Sequence, residues 1–201
     1  DEISTKLKKY IGFIEQTPPN FSAIKIKGKR AYELARQGSE LKLKPRSLFV
    51  EDLRFVERVD NDHALLHLIC GKGGYVRSIA RDLGKDLKCF AHVKWLRRTS
   101  AGPFDIESCI TIDKIQELQK SSQFLKLLKP LELGLQNLPC VKCSAKEIGE
   151  IANGGSVEVI SNDIEPDIKC WIHYDGKALA LGTVKLNKFY PSRVFNIENS
   201  I

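Results

Sequence analysis

The segment of residues 64–87 constrains the fold most, because its hydrophobic period changes across a pair of glycines. A short apolar run from Ala64 to Cys70 is typical of a strand, and Gly73-Gly74 then allows a tight turn. Apolar residues recur after this turn at helical spacing, at Val76, Ile79, Ala80, Leu83 and Leu87. The segment therefore predicts a strand, a turn and a helix that buries one face.

Polar residues beside this helix form a candidate site. Tyr75 lies in the first turn, next to glycines that let a backbone or a phosphate come close. Arg77, which we expect to be buried, and Arg81 lie one turn apart on a neighbouring face. An arginine on a helix flank is more often a solvated or ion-paired surface residue, so this segment alone leaves both interpretations open.

A second candidate site is a basic hairpin near the start of the sequence. Residues 3–14 are expected to form an amphipathic helix, which the Pro18-Pro19 pair ends. Residues 21–26 are then extended, Lys27-Gly28 turns the chain, and residues 31–37 form a helix closed by Gly38. The tip of this element carries Lys25, Lys27, Lys29 and Arg30. Such a tip can reach a nucleic-acid groove, although an ordinary solvated hairpin has the same pattern.

The charge of the chain is concentrated in its first half. Residues 1–100 contain 21 Lys and Arg against 12 Asp and Glu, whereas residues 101–201 contain 11 against 13. The local balances are thus +9 and −2, within a net charge of +7. Scattered lysines usually serve solubility, but here they cluster near the candidate sites, which favours a phosphate-binding surface in the first half.

Four segments of the sequence form a combination: Gln-Thr-Pro-Pro-Asn-Phe-Ser-Ala-Ile-Lys at 16–25, Gly-Lys-Arg-Ala-Tyr-Glu-Leu-Ala-Arg-Gln-Gly at 28–38, Tyr-Val-Arg at 75–77 and Leu-Arg-Arg at 96–98. Together they resemble the bacterial TruB family of tRNA pseudouridine synthases. Each triplet alone would be weak, but the combination is specific. The resemblance is strong from about residue 12 to 115 and weaker towards the C-terminus.

The resemblance implies an enzyme that isomerises uridine 55 in the T arm of tRNA to pseudouridine without a cofactor or a metal. It implies that Arg77 pairs with the catalytic aspartate, that Tyr75 lines the pocket of the flipped base, and that Leu96 is an apolar wall. Residues of about 16–45 would form a thumb that grips the T arm. The candidate RNA-binding residues are Lys25, Lys27, Lys29, Arg30, Tyr32, Lys72, His92, Arg97 and Arg98.

The catalytic aspartate of this family lies in a Gly-Thr-Leu-Asp-Pro-like motif, which does not occur in this sequence. The 201 residues also contain no methionine. We therefore expect a processed product or a piece of a longer protein, inactive by itself because the aspartate lies upstream. A non-catalytic RNA-binding module is the alternative function, and an upstream motif of this kind would distinguish the two.

The predicted fold class is α+β, with a mixed or antiparallel sheet and flanking helices followed by a small PUA-like β-barrel. Residues 46–59 and 63–70 predict adjacent strands whose core positions are Leu48, Val50, Leu53, Phe55, Leu66, Leu68 and Cys70. A further strand is expected at 92–101 and a helix at 110–118. Lys129-Pro130 marks the boundary between domains 1–128 and 129–201, and strands at 157–160, 168–173, 178–184 and 193–197 predict the barrel.

A structural zinc site is an alternative for Cys140, Cys143, Cys170 and His173, which have the ligand types and the short spacings of such a site. Against zinc, residues 144–147 read as a capping box, so that Cys143 precedes a helix as an apolar residue often does. Alternation also places Cys170 and Ile172 on one face of a strand. The resemblance to an intracellular RNA-modifying enzyme implies a reducing compartment, so we expect free thiols. No apolar run approaches a membrane span, and we expect a cytoplasmic monomer.

Overall fold

The structure, a computed structural model, describes residues 2–119, 121, 123–159 and 164–195. Its contacts divide the chain into two compact units, Asp1–Leu96 and Arg97–Ile201. The predicted domain boundary after residue 128 stays a prediction. None of the described helices is both long enough and apolar enough to cross a membrane.

The first unit is a three-stranded antiparallel sheet packed against helices. Its elements are α1 (Glu2–Leu7), β1 (Gly12–Gln16), β2 (Lys25–Ile26), β3 (Lys29–Arg30), α2 (Ala31–Arg36), β4 (Arg46–Arg58), β5 (Ala64–Cys70) and α3 (Val76–Asp86). The strands of the sheet pair in the order β1-β4-β5, and β2 and β3 form a separate two-stranded hairpin. The buried core of the unit comprises Leu7, Tyr10, Leu48, Val50, Leu53, Ile79 and Leu83.

A β-bulge in β4 explains why its buried residues are not evenly spaced. Leu48 and Val50 are two residues apart, whereas the next buried residue, Leu53, is three further on. The pairing of β4 with β5 shifts its register between Val50 and Asp52. One extra residue in a strand moves the following side chains to the opposite face, which brings Leu53 back to the core.

The helix predicted over residues 3–14 is wrong in its second half. The α-helix α1 and a 3-10 turn at Lys8–Tyr10 form a shorter helical segment, and β1 begins at Gly12. Gly12 has φ +91°, a left-handed conformation that cannot continue a right-handed helix. Ile14 therefore lies in a strand, opposite Leu48 of β4.

The strand predicted at 92–101 is wrong over most of its length. Residues 92–99 form no strand, and only Ser100–Ala101 (β6) pairs, with Phe104–Asp105 (β7). The segment is basic and largely exposed, and none of the described strands pairs with residues 92–99, so no ladder of backbone hydrogen bonds holds them extended.

The second unit contains a five-stranded sheet around its own core. The remaining elements are α4 (Ile112–Leu118), β8 (Cys140–Lys142), α5 (Ile148–Ala152), β9 (Val157–Glu158), β10 (Lys169–Tyr174), β11 (Lys177–Lys185) and β12 (Lys188–Val194), and the sheet has the order β8-β10-β11-β12-β9. Its mixed, curled sheet is consistent with a PUA-like domain, and the α+β fold class is confirmed. The parallel strand β8 has no counterpart among the predicted strands, and the predicted strand ends Ile160 and Ile197 lie outside the described residues.

The cysteines of the second unit lie in apolar packing. The capping box is confirmed, since Ser144 N–H donates to the Glu147 carboxylate at 2.7 Å. Cys143 and Cys170 are buried in the core, and burial raises the pKa of both thiols. Among the described residues, no group of three or more His, Cys, Asp or Glu side chains could hold a metal ion, so the zinc alternative lacks a ligand cluster there.

Candidate active site and nucleic-acid surface

The turn that precedes α3 depends on close packing at Gly74. A Cβ atom at this position would lie 2.8 Å from the Cys70 sulfur and 3.1 Å from a methyl carbon of Leu48. Both distances are shorter than ordinary van der Waals contact. Only glycine fits there without displacing its neighbours, so the turn delivers Tyr75 directly to the start of α3.

Tyr75 is held through its backbone by a residue that the sequence analysis missed. The Tyr75 N–H donates to Gln16 Oε1 at 2.8 Å, and Gln16 Nε2 donates to the Tyr75 carbonyl at 3.2 Å. Gln16 is only 4% exposed. Gln16 begins the motif segment 16–25, but no role was predicted for it, because its partner lies 59 residues away in the sequence.

Arg77 is exposed, so the expectation that it is buried is wrong. It lies in the first turn of α3, and its Nη2 donates to the Phe21 carbonyl at 2.9 Å. Arg77 lies outside the apolar stripe of α3, on an exposed part of the helix surface. Arg77 forms no ion pair with any described carboxylate.

Arg81, one turn further along α3, is already neutralised. Its Nε and Nη2 each donate to the Asp82 carboxylate at 2.8 Å, and Nη2 also donates to the Thr17 carbonyl at 3.0 Å. The hydrogen bonds to Asp82 raise the pKa of Arg81. The two arginines therefore differ. Arg81 holds Asp82 and the Thr17 carbonyl, whereas the Arg77 guanidinium remains exposed.

The basic hairpin, defined as residues 25–30, is confirmed as a two-stranded element. Lys25 pairs with Arg30 and Ile26 pairs with Lys29, across a turn in which Lys27 and Gly28 both have positive φ. The three lysines are exposed and form no ion pair among the described residues. Arg30 is also exposed, but its Nη1 donates to the Ala23 carbonyl at 3.0 Å.

The other predicted site residues occupy different surroundings. Tyr32 is half-buried, with the Arg36 guanidinium 5.6 Å from the centre of its ring. Leu96 is 62% exposed, and Lys72 and His92 are exposed within the first unit. Arg97 and Arg98 are exposed in the second unit. The structure thus joins Tyr75 and Arg77 on one helix and groups the hairpin cations on another element.

Two polar clusters of the first unit lay outside the sequence predictions. Lys94 Nζ donates to His63 Nε2 at 2.9 Å, so His63 Nδ1 donates to Asp60, 2.7 Å away. In the second cluster, Tyr10 and Lys9 both donate to the Asp86 carboxylate. These two hydrogen bonds lower the pKa of Asp86, whereas burial and the bond to Asp86 raise the pKa of Tyr10.

Sequence models of two domains match the chain. Residues 1–76 match the TruB family pseudouridylate synthase (N terminal domain), and residues 77–136 match the tRNA pseudouridylate synthase B C-terminal domain. Proteins named tRNA pseudouridine synthase B are similar over 98% of the chain. The identity is 49% for Ruegeria sp. (strain TM1040), over 65% of that relative, and 37% for Bartonella henselae, over 67% of it. The chain therefore spans about 65% of the length of several curated relatives.

Two solved structures share the fold at low sequence identity. A Cbf5-Nop10-Gar1 complex matches with a TM-score of 0.75 and 22% identity, over 98% of this chain and 61% of that chain. An H/ACA RNP bound to a substrate RNA containing 2′-deoxyuridine matches with a TM-score of 0.74 and 20% identity, over 99% and 62%. At these identities the similarity establishes the fold alone.

Proposed function

Because the chain belongs to the TruB family of pseudouridylate synthases, we propose that the protein isomerises a uridine of tRNA to pseudouridine. The bond from uracil N1 to ribose C1′ breaks, and a bond from C5 to C1′ forms. C5 loses its hydrogen as a proton and N1 gains a proton, so the reaction needs no oxidant or reductant. The target base must first leave its stack to reach a pocket.

The proposal rests on one observation: the Arg77 guanidinium is oriented by a hydrogen bond but has no carboxylate partner among the described residues. Arg77 is fixed to the first turn of α3, makes one hydrogen bond to the Phe21 carbonyl, and pairs with no described carboxylate. A guanidinium has five N–H donors and binds a carboxylate through two of them. Arg77 is therefore suited to hold the carboxylate of the catalytic aspartate, which we place in a motif outside these 201 residues.

The remaining assignments follow from the same proposal. The Tyr75 ring and Leu96 would line the pocket of the flipped uridine, uridine 55 of the T arm. The basic hairpin would contact the phosphates of the T arm, with Tyr32, Lys72, His92, Arg97 and Arg98 as further RNA contacts. We propose that the protein acts as a monomer in the cytoplasm.

Release of tritium from C5 of uridine tests the proposal directly. The full-length protein that contains this chain should release tritium from a tRNA transcript carrying [5-³H]uridine, and a transcript with cytidine at position 55 should give none. The 201-residue chain alone should bind the T arm without release. Release by the chain alone at the full rate would place the aspartate within it. Binding without release by the full-length protein would favour the non-catalytic module.

A further inference from the structure

A buried glutamine, Gln16, links the candidate active site to the segment 16–21, which leads to the basic hairpin. Gln16 ends β1, is 4% exposed, and hydrogen-bonds the Tyr75 backbone through both Oε1 and Nε2 of its side-chain amide. A buried amide without partners destabilises a protein substantially, so this pairing is specific rather than incidental. The Tyr75 backbone is thereby fixed at two atoms, just after the Gly73-Gly74 turn.

The residues that follow Gln16 are bonded to the same helix. The Thr17 carbonyl accepts hydrogen bonds from Ser78 Oγ at 2.8 Å and from Arg81 Nη2 at 3.0 Å. The Phe21 carbonyl accepts one from Arg77 at 2.9 Å. Ser78 is fully buried, which places a polar bond within the otherwise apolar face of α3. The segment 16–21 is therefore attached to the first two turns of α3.

We propose that Gln16 is a positioning residue for the synthase reaction, which holds the Tyr75 ring in place by fixing the Tyr75 backbone. The inference rests on the proposed function. Tyr75 is the N-cap residue of α3, with φ −106° and ψ 102°, and its side chain makes no capping bond. The two bonds from Gln16 fix this extended conformation. Because Gln16 also begins the segment that leads to the basic hairpin, the same bonds join the RNA-binding element to the pocket.

Substitutions of Gln16 that keep its volume distinguish a role in positioning Tyr75 from a role in filling the core. Gln16→Met keeps the volume and removes both hydrogen bonds. In the full-length protein we expect kcat to fall about tenfold with little change in KM, since misplacement of a site group affects the reacting geometry more than the binding of RNA. Gln116→Met on α4, where the glutamine is exposed, is the matched control and should behave as the parent.

Gln16→Glu supplies a readout that a packing role would not give. A protonated glutamic acid can accept from the Tyr75 N–H and donate to the Tyr75 carbonyl, as the amide does, whereas the carboxylate can only accept. The kcat of Gln16→Glu relative to the parent should therefore rise as pH falls, while the ratio for Gln16→Met stays constant. Circular dichroism at each pH confirms that the variants are folded.

Amide hydrogen exchange at Tyr75 reports the bond independently of activity. Exchange should be faster in Gln16→Met than in the parent. An active parent with an unchanged kcat in Gln16→Met overturns the inference alone. A parent that exchanges Tyr75 slowly but releases no tritium removes the proposed function, and the inference with it. The two failures are thus distinguishable.

Discussion

Arg77 Nη2 donates a hydrogen bond to the carbonyl oxygen of Phe21, 56 residues earlier in the sequence, at 2.9 Å. This bond orients the guanidinium without neutralising it, because a carbonyl is uncharged. The remaining donors of the fork stay accessible to a carboxylate. The hydrogen bond thus explains how an exposed arginine can have a fixed direction.

Arg77→Lys in the full-length protein should lower kcat about 100-fold, because a lysine ammonium cannot replace the planar fork that holds a carboxylate bidentately. Tritium release from [5-³H]uridine tRNA measures the effect. Arg58→Lys, at the exposed end of β4, is the control and should retain parental turnover. Near-normal turnover of Arg77→Lys would remove Arg77 from the site.

Gly74→Ala should destabilise the first unit by about 1–3 kcal/mol, the usual range for overpacking. The new methyl group would lie 2.8 Å from the Cys70 sulfur and 3.1 Å from Leu48, which is buried. Gly71→Ala in the same turn is the matched control, because its Cβ would lie at ordinary contact distances, 3.5 Å from the Phe49 carbonyl oxygen and 4.0 Å from the Phe49 Cβ. Urea unfolding followed by circular dichroism compares the two. Equal midpoints would show that the turn adjusts to the methyl group.

Asp86→Asn should reduce stability at neutral pH, and the difference from the parent should shrink as pH falls. The hydrogen bonds from Lys9 and Tyr10 lower the pKa of Asp86 below its unfolded value of about 3.9. A depressed folded pKa contributes stability above the unfolded pKa, and this contribution is lost as pH falls through the folded pKa. Urea midpoints between pH 7 and pH 2 measure the effect, because the loss begins near the unfolded pKa and continues through the lower folded pKa. A constant difference across this range would show that Asp86 does not titrate as proposed.

Local patterns in the sequence predicted the elements whose partners lie nearby in the chain. The β4 and β5 strands, their turn and the start of α3 follow from hydrophobic period and turn residues. The predicted core positions of β4 remain correct despite the bulge. They included Leu53 rather than Asp52 after Val50, and Leu53 is the residue that is buried. The hairpin turn at Lys27-Gly28 was likewise encoded by local backbone preference.

Features set by distant contacts could not be predicted in this way. Ile14 has the spacing of a helix residue, but pairing of β1 with β4 places it in a strand. The exposure of Arg77 depends on which distant segments pack against α3. The helical spacing of apolar residues carries no information about those segments. Gln16 had no local signal for its role, because both of its hydrogen bonds reach Tyr75, which lies 59 residues later in the sequence.

The basic hairpin should supply more of the RNA affinity than the cations of the C-terminal sheet. Its lysines are exposed and form no ion pair among the described residues. In contrast, Lys185 Nζ lies 2.6 Å from the Asp167 carboxylate, and Lys188 Nζ lies 4.0 Å from that of Glu158. A lysine that is already paired gains less from a phosphate, because it must first give up its carboxylate partner.

Two variants of the chain test this difference with a T-arm stem-loop. One replaces Lys25, Lys27, Lys29 and Arg30 with alanine, and the control replaces Lys185, Lys188 and Arg193. The hairpin variant should bind more weakly and lose up to about one unit of the log-log salt slope for each phosphate contact removed. Fluorescence anisotropy at several salt concentrations gives both quantities, and circular dichroism confirms folding. Parental binding by the hairpin variant, with binding abolished in the control, would identify the C-terminal sheet as the RNA platform.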